Sequence, residues 1–314
     1  MNNILDWLLE PDNPSVRYFT LRHLLDRPED DAEVQAARRA IMTSEPVQKI
    51  LAAQNSEGYW SKPGKGYSPK YQATSWQILF LAELGADGEN EQVRKGCEYF
   101  LSQSPTKYGG FDPLVYCLNG NMLWALTALG FGSDERVARA VDWLTGMIIG
   151  DLPHTGSYTW PAFVCGANDK LPCAWGAVKC LRALANLPPA LQTDKVKSAL
   201  TATVEFLFSR DPAKADYPVY KRVSGEWFKF GFPLSYTSDV LEAAMALCEA
   251  GHGNDPRLRS AVDFIISMRQ PDGRWLLKHS LNGKMWADIE VKGKPSKWIT
   301  LRALRVLKAA GRDQ

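Results

Sequence analysis

Asp239, in the segment YTSDVLEAAMAL, has the setting best suited to moving a proton. It falls near the start of a strongly apolar stretch and follows the aromatic loop EWFKFGFPLSY. A carboxyl among such aromatics is poorly hydrated, so its pKa rises and it becomes a general acid or base. The competing reading is a carboxylate that favours a helix N-terminus, which needs no chemistry. Tyr236 is the adjacent candidate proton donor, and Tyr71 is its counterpart in an earlier segment of the same kind. Either can also be a plain wall aromatic. In CLNGNMLW, Asn119 reads as an N-cap. Asn121 lies inside the first turn, where capping no longer explains it, and is a candidate for hydrogen bonding to substrate. Trp124 and Trp298 are expected beside the substrate as aromatic walls.

Arg17 and Arg22 sit on the first such segment and Lys297 begins the last. If the segments close into a ring, these cations meet across its seam and can hold an anionic group or a phenolate. Salt bridging to the many acids is the alternative. Cys117, Cys165 and Cys173 cluster around the third and fourth segments, with His154 in the loop between. Three thiolates and an imidazole are a legitimate zinc set. Their spacing matches no compact CxxC knuckle, however, and buried cysteine is a common small core residue. His23 and His252 read as helix-end residues. No P-loop, dinucleotide fingerprint or Ser/His/Asp order is present.

The elements that carry these residues repeat. One class of segment is apolar and mostly stops at glycine: residues 14–25, 71–85, 118–130, 171–187, 235–251 and 295–311. Each has apolar residues at three- and four-residue spacing, and glycine past the end is a helix stop. A second, more charged class follows each of the first five: residues 30–41, 89–104, 133–148, 193–208 and 254–270. Ser133 and Asn254 stand where N-caps are expected, with acids in the first turn. About eleven helices therefore alternate, at a period of roughly 45 to 65 residues that suits arrays of helical hairpins. PSVRYFTLR at the first segment and PSKWITLR at the last share a pattern, which favours closure into a ring. The stretches QNSEGYW (54–60) and QPDGRW (270–275) lie where a charged helix ends. There glycine permits the turn, glutamine caps carbonyls and tryptophan covers the helix end.

Composition narrows the partners. The chain has 314 residues and a net charge of +2, which gives no electrostatic case for nucleic acid. No apolar run approaches the roughly 18 residues of a membrane span. The start, MNNILDWLLEPDNPSVRYF, has no signal-type core, so a cytoplasmic protein with reduced cysteines is expected. Eleven tryptophans must go to core, interface or ligand cavity.

QNSEGYW and QPDGRW resemble the QW repeats of the squalene cyclase and protein prenyltransferase superfamily, and SQSPTKYGGF (102–111) is a weaker copy in the same place. WLLEPDNPSVRYFTLRHLL and YCLNGNMLWALTALGFGSDERV are similar to bacterial single-barrel prenyltransferase/squalene oxidase repeat proteins. The resemblance implies an α/α toroid of about six hairpins around an apolar cavity. The protonating Asp-x-Asp-Asp motif of the cyclases is absent, and EDD at 29–31 reads as a cap. The Asp-x-Cys zinc pair of the protein prenyltransferases is absent too.

The expectation is an all-α chain, a single (α/α)6 toroid over residues 1–314 with alternating inner and outer helices. Its expected function is a lyase, isomerase or cyclase using acid–base chemistry on an apolar or aromatic small molecule in the central cavity. No cofactor is required, although zinc remains an alternative. The competing reading is a non-catalytic helical-repeat scaffold, which would show a long open groove.

Overall fold

The computed structural model describes residues 2–152, 162–219 and 222–312. Among them the apolar segments form six helices: α2 (Pro14–His23), α5 (Thr74–Glu83), α7 (Tyr116–Leu126), α9 (Ala174–Ala185), α11 (Val240–Glu249) and α13 (Lys297–Ala309). All ten residues of α5 are buried, as expected of a helix with neighbours on every side. The charged segments form α3 (Ala32–Ile41), α6 (Glu91–Gln103), α8 (Glu135–Ile149), α10 (Asp194–Phe208) and α12 (Arg259–Ser267). Most of these bury one stripe, in α6 Val93, Gly96, Cys97, Phe100 and Leu101, whereas α8 is buried all round from Trp143 to Ile148. A two-stranded hairpin, β1 (Val164–Cys165) and β2 (Leu171–Pro172), precedes α9.

Two of the expected N-caps move by one residue. Asp134, not Ser133, accepts the Arg136 amide before α8, and Asp255, not Asn254, accepts that of Arg257 before α12. A carboxylate is the stronger acceptor for these amides and complements the helix dipole.

Neighbouring inner helices pack in the order α5, α7, α9, α11, α13, α2. Gly85, just past α5, lies against the Phe19 ring of α2 and completes the circle. Lys308 near the end of α13 donates to the carbonyls of His23 (3.2 Å) and Leu24 (3.1 Å) at the end of α2.

Two helices were not expected: α4 (Glu45–Ala52) and α1 (Asn2–Leu8). The place of α1 follows from three glycines of the QW-like turns. Gly58, Gly109 and Gly273 all have left-handed φ, and each leaves no room for a Cβ. Gly58 abuts Lys95 of α6 and Gly109 abuts Arg139 of α8, in each case the outer helix of the following repeat. Gly273 abuts Ile4 of α1. The N-terminal helix therefore serves as the sixth outer helix, beside α13.

The QW-like turns tie one repeat to the next. Trp60 Nε1 donates to the Ile50 carbonyl at 2.7 Å, and Trp275 Nε1 donates to that of Ile265 at 2.7 Å. Their backbone amides donate forward to Thr74 Oγ1 (3.2 Å) and Thr300 Oγ1 (3.0 Å) on the next inner helix. In the weaker copy Phe111 takes the tryptophan position, and its amide donates to Asn119 Oδ1 at 2.7 Å. Orphaned helix-end carbonyls thus gain donors while indole area is buried.

Candidate functional site

The middle of the ring is charged. Glu83 ends α5, Lys179 and Arg182 lie on α9, Glu242 on α11 and Arg302 on α13, and all are buried. Lys179 Nζ donates to both Glu242 oxygens, at 2.7 and 2.6 Å. Arg182 makes a two-pronged pair with Glu83, and Arg302 Nη2 donates to the same carboxylate at 2.6 Å. On the ring α7 separates α5 from α9, and α2 separates α5 from α13, so these bonds cross the lumen. Burial raises the Glu83 carboxyl, but the Arg182 and Arg302 charges overcome it and hold it down at about 2. The expected apolar lumen is therefore corrected. A paired ion network fills its middle, because side chains from several inner helices reach one another and offset their desolvation.

Below that network a cavity of about 320 Å³ is lined by all six inner helices. Trp124 and Trp298 both line it. The Arg182 guanidinium lies 3.5 Å over the Trp124 ring, and Trp298 stacks on Phe232 at 3.9 Å. Glu249 and Arg305, paired at 3.1 Å, complete a polar wall.

The inner-helix N-termini build a different surface. Tyr71 has a left-handed backbone (φ 68°), and burial together with the neighbouring Tyr236 phenol raises its pKa. Trp76 and Trp175 flank Tyr236 with ring centroids 6.4 and 6.3 Å away, and Lys70 Nζ lies 4.4 Å over its ring. Asn121 Nδ2 donates to the Ser235 carbonyl at 2.8 Å, fixing the segment that presents Tyr236. Tyr71, Tyr236 and Asn121 are thus gathered, although they lie far apart in sequence.

Trp175 also forms one wall of a cleft of about 490 Å³, with Cys165, Cys173, Tyr217, Val223 and Trp227. The cleft is mainly apolar. Cys165 and Cys173 share a hydrogen bond across the hairpin that pulls Cys165 down to about 6, helped by the Ala167 and Asn168 amides. The same bond, together with burial, pushes Cys173 well up. Burial and the nearby Cys165 raise Cys117 to about 11. The three cysteines expected as a zinc set therefore lie close together. Among the described residues, no group of three or more His, Cys, Asp and Glu side chains is arranged to hold a metal. His154 lies outside the described residues.

Asp239 is buried, and burial pushes it up to about 7. Its two oxygens accept the Gly231 amide (2.9 Å) and the Glu242 amide (2.8 Å), and it lines neither concavity. The expected anion site at the seam does not form. Arg17 donates to the Leu9 carbonyl at 3.0 Å and faces Glu33, and Arg22 pairs with Glu29 at 2.8 Å. Lys297 pairs with Glu10 and Asp12. Acids flanking α2 reach each cation before another cation can. The residues missed from sequence are Glu83, Lys179, Arg182, Glu242 and Arg302. Their signal was available as isolated charges inside apolar runs such as TSWQILFLAE and VLEAAMALCE.

No family model and no curated protein matches the sequence. Among solved structures, a cellobiose 2-epimerase from Bacillus thermoamylovorans aligns over 88% of this chain and 85% of its own, at 10% identity and a TM-score of 0.51. A protein from Actinoplanes aligns over 96% and 90%, at 17% identity and a TM-score of 0.42. The type II terpene cyclase MstE from Scytonema, in complex with merosterolic acid A, aligns over 100% of both chains at 12% identity and a TM-score of 0.35. The likeness to the epimerase shows the fold, an α/α toroid. No helix among the described residues is long and apolar enough to cross a membrane.

Proposed function

We propose that this toroid is an enzyme that moves protons on an apolar or aromatic small molecule, as an isomerase, lyase or cyclase does. The substrate lies in the 490 Å³ cleft against Trp175. One observation carries the reading: Trp175 joins that apolar cleft to the Tyr236 ring, whose phenol neighbours that of Tyr71. A dry concavity with few convergent polar groups is the usual form of a ligand site. The left-handed Tyr71 adds support, because non-glycine residues held there often cluster at functional sites.

Tyr236 is the proton donor in this reading, and Tyr71 relays or holds the proton. Asn121 fixes the Ser235 carbonyl and so the aim of Tyr236. Asp239 supports the α11 end of the same segment through backbone amides rather than by touching substrate. None of these steps needs a cofactor. Zinc on the gathered thiols of Cys117, Cys165 and Cys173 is a second reading, and it would need a ligand from outside the described residues.

The test begins with small molecules that co-purify with the protein, identified by mass spectrometry and assayed for turnover. Tyr236→Phe should lower kcat by about 10²–10⁴-fold, and Trp175→Ala should raise KM. Wild-type turnover in the Tyr71→Phe, Tyr236→Phe double variant would refute the assignment.

A further inference from the structure

The lumen cavity has a different chemistry from the cleft and shares no lining residue with it. Four buried or half-buried cations (Lys179, Arg182, Arg302 and Arg305) meet only three carboxylates, those of Glu83, Glu242 and Glu249. Each carboxylate is already engaged. Glu83 bridges Arg182 and Arg302, Glu242 takes Lys179, and Glu249 accepts from Arg305 and from Asn186 Nδ2 at 3.0 Å. Asp239 is the further buried carboxyl near Arg302, and backbone amides hold both of its oxygens. At the rim Arg22 and Lys308 each have an acid of their own, Glu29 and Asp26. The ion-paired groups of the cluster therefore carry one cation beyond their carboxylates.

Unmet hydrogen bonds point the same way. Arg182 is 6% exposed and lines the cavity, yet its Nε has no partner. Thr127 Oγ1 and Trp298 Nε1 are also buried without partners, and both residues line the same cavity. A buried donor without an acceptor costs about 1–3 kcal/mol, so three around one cavity argue for a missing acceptor. Trp124, Trp298 and Phe19 add aromatic walls.

We propose that the lumen cavity binds a small organic monoanion, a carboxylate with an aromatic or apolar body. The carboxylate sits with Arg305 and the donors of Arg182, and the body lies against Trp124 and Trp298. The volume is near the lower end of ordinary ligand pockets, roughly 300–1,000 Å³, so the ligand is compact.

Benzoate is the probe, titrated into the full chain by calorimetry, with potassium chloride keeping the ionic strength constant. Binding of 4-fluorobenzoate is followed independently by fluorine NMR. Saturable benzoate binding is expected, with neutral benzamide at least about tenfold weaker, as loss of a charged hydrogen bond requires. Arg305→Gln should weaken benzoate by a similar factor. Ala128→Phe fills the exposed mouth of the cavity without altering any charge, and should weaken it as well. If far-UV circular dichroism shows that Arg305→Gln has lost its helices, Ala128→Phe decides. No saturable binding, equal binding of benzamide, or wild-type affinity in the folded variants would overturn the proposal. None of these outcomes bears on the Tyr236→Phe result in the cleft.

Discussion

Asp239 stands to α11 as Asn119 stands to α7: each accepts, through its side chain, the amide of a loop residue eight positions earlier. The donors are Gly231 and Phe111, and both loops lead into an inner helix. Thr74 and Thr300 do related work for Trp60 and Trp275. A carboxyl at this position thus has an architectural explanation that requires no substrate.

That role makes Asp239 a source of pH-dependent stability. Its folded pKa, about 7, lies above the ordinary aspartate value of 3.8. The sign follows from linkage: its contribution is fully present below the unfolded pKa and is lost as pH rises through about 7. Between pH 5 and pH 8 the melting temperature of the wild type should fall relative to that of Asp239→Asn. Parallel curves for the two proteins would show that this carboxyl is already ionised below pH 5.

Glu83 has the opposite sign. Its folded pKa, about 2, lies below the ordinary glutamate value of 4.5, so its stabilisation is present above 4.5 and is lost as pH falls through about 2. Glu83→Gln leaves Arg182 and Arg302 without their shared carboxylate. Breaking one side of a buried pair costs about 3–5 kcal/mol, and denaturant unfolding at pH 7 should show a loss of that order. A loss below about 1 kcal/mol, the scale of exposed pairs, would mean that water reaches the network.

The inner and outer alternation was legible because apolar stretches and capped amphipathic helices differ in pattern, and QNSEGYW and QPDGRW marked the turns. What was not legible was which partner each charge would find. Arg17 and Lys297 looked free in sequence, but acids at positions 33, 10 and 12 reach them once α1 and α3 are in place. Likewise Glu83 and Arg302 are 219 residues apart, and only ring closure brings them to one point. Tyr71 and Tyr236 were legible as phenols at inner-helix starts, though only the closed ring brings both against Trp76.

The thiols should differ in reactivity. Cys165 is drawn down to about 6 by its interaction with Cys173, whereas burial pushes Cys97 up to about 12 and also holds Cys180 well above the usual thiol range. Thiolate, not thiol, is the nucleophile. With limiting iodoacetamide at pH 7, peptide mapping should find Cys165 modified first, with Cys97 and Cys180 intact in folded protein. Equal labelling of all six would remove the basis for a distinct hairpin thiol.

The last prediction concerns α1, which the repeat pattern did not reveal. Terminal helices commonly fray, and substitutions in a frayed end cost almost nothing. Here Leu8 is fully buried and Ile4 is packed against Gly273, the position that an outer helix occupies at the other QW-like turns. If α1 is a true sixth outer helix, Leu8→Ala should cost about 2–5 kcal/mol, the range for a core leucine. Removing residues 1–9 should cost more, because Lys297 keeps Asp12 but is stripped of the α1 packing around it. Both are read from urea unfolding monitored by circular dichroism. A Leu8→Ala protein that unfolds at the wild-type midpoint would leave α1 as a loosely docked tail, and the ring would then close through α13 and α2 alone.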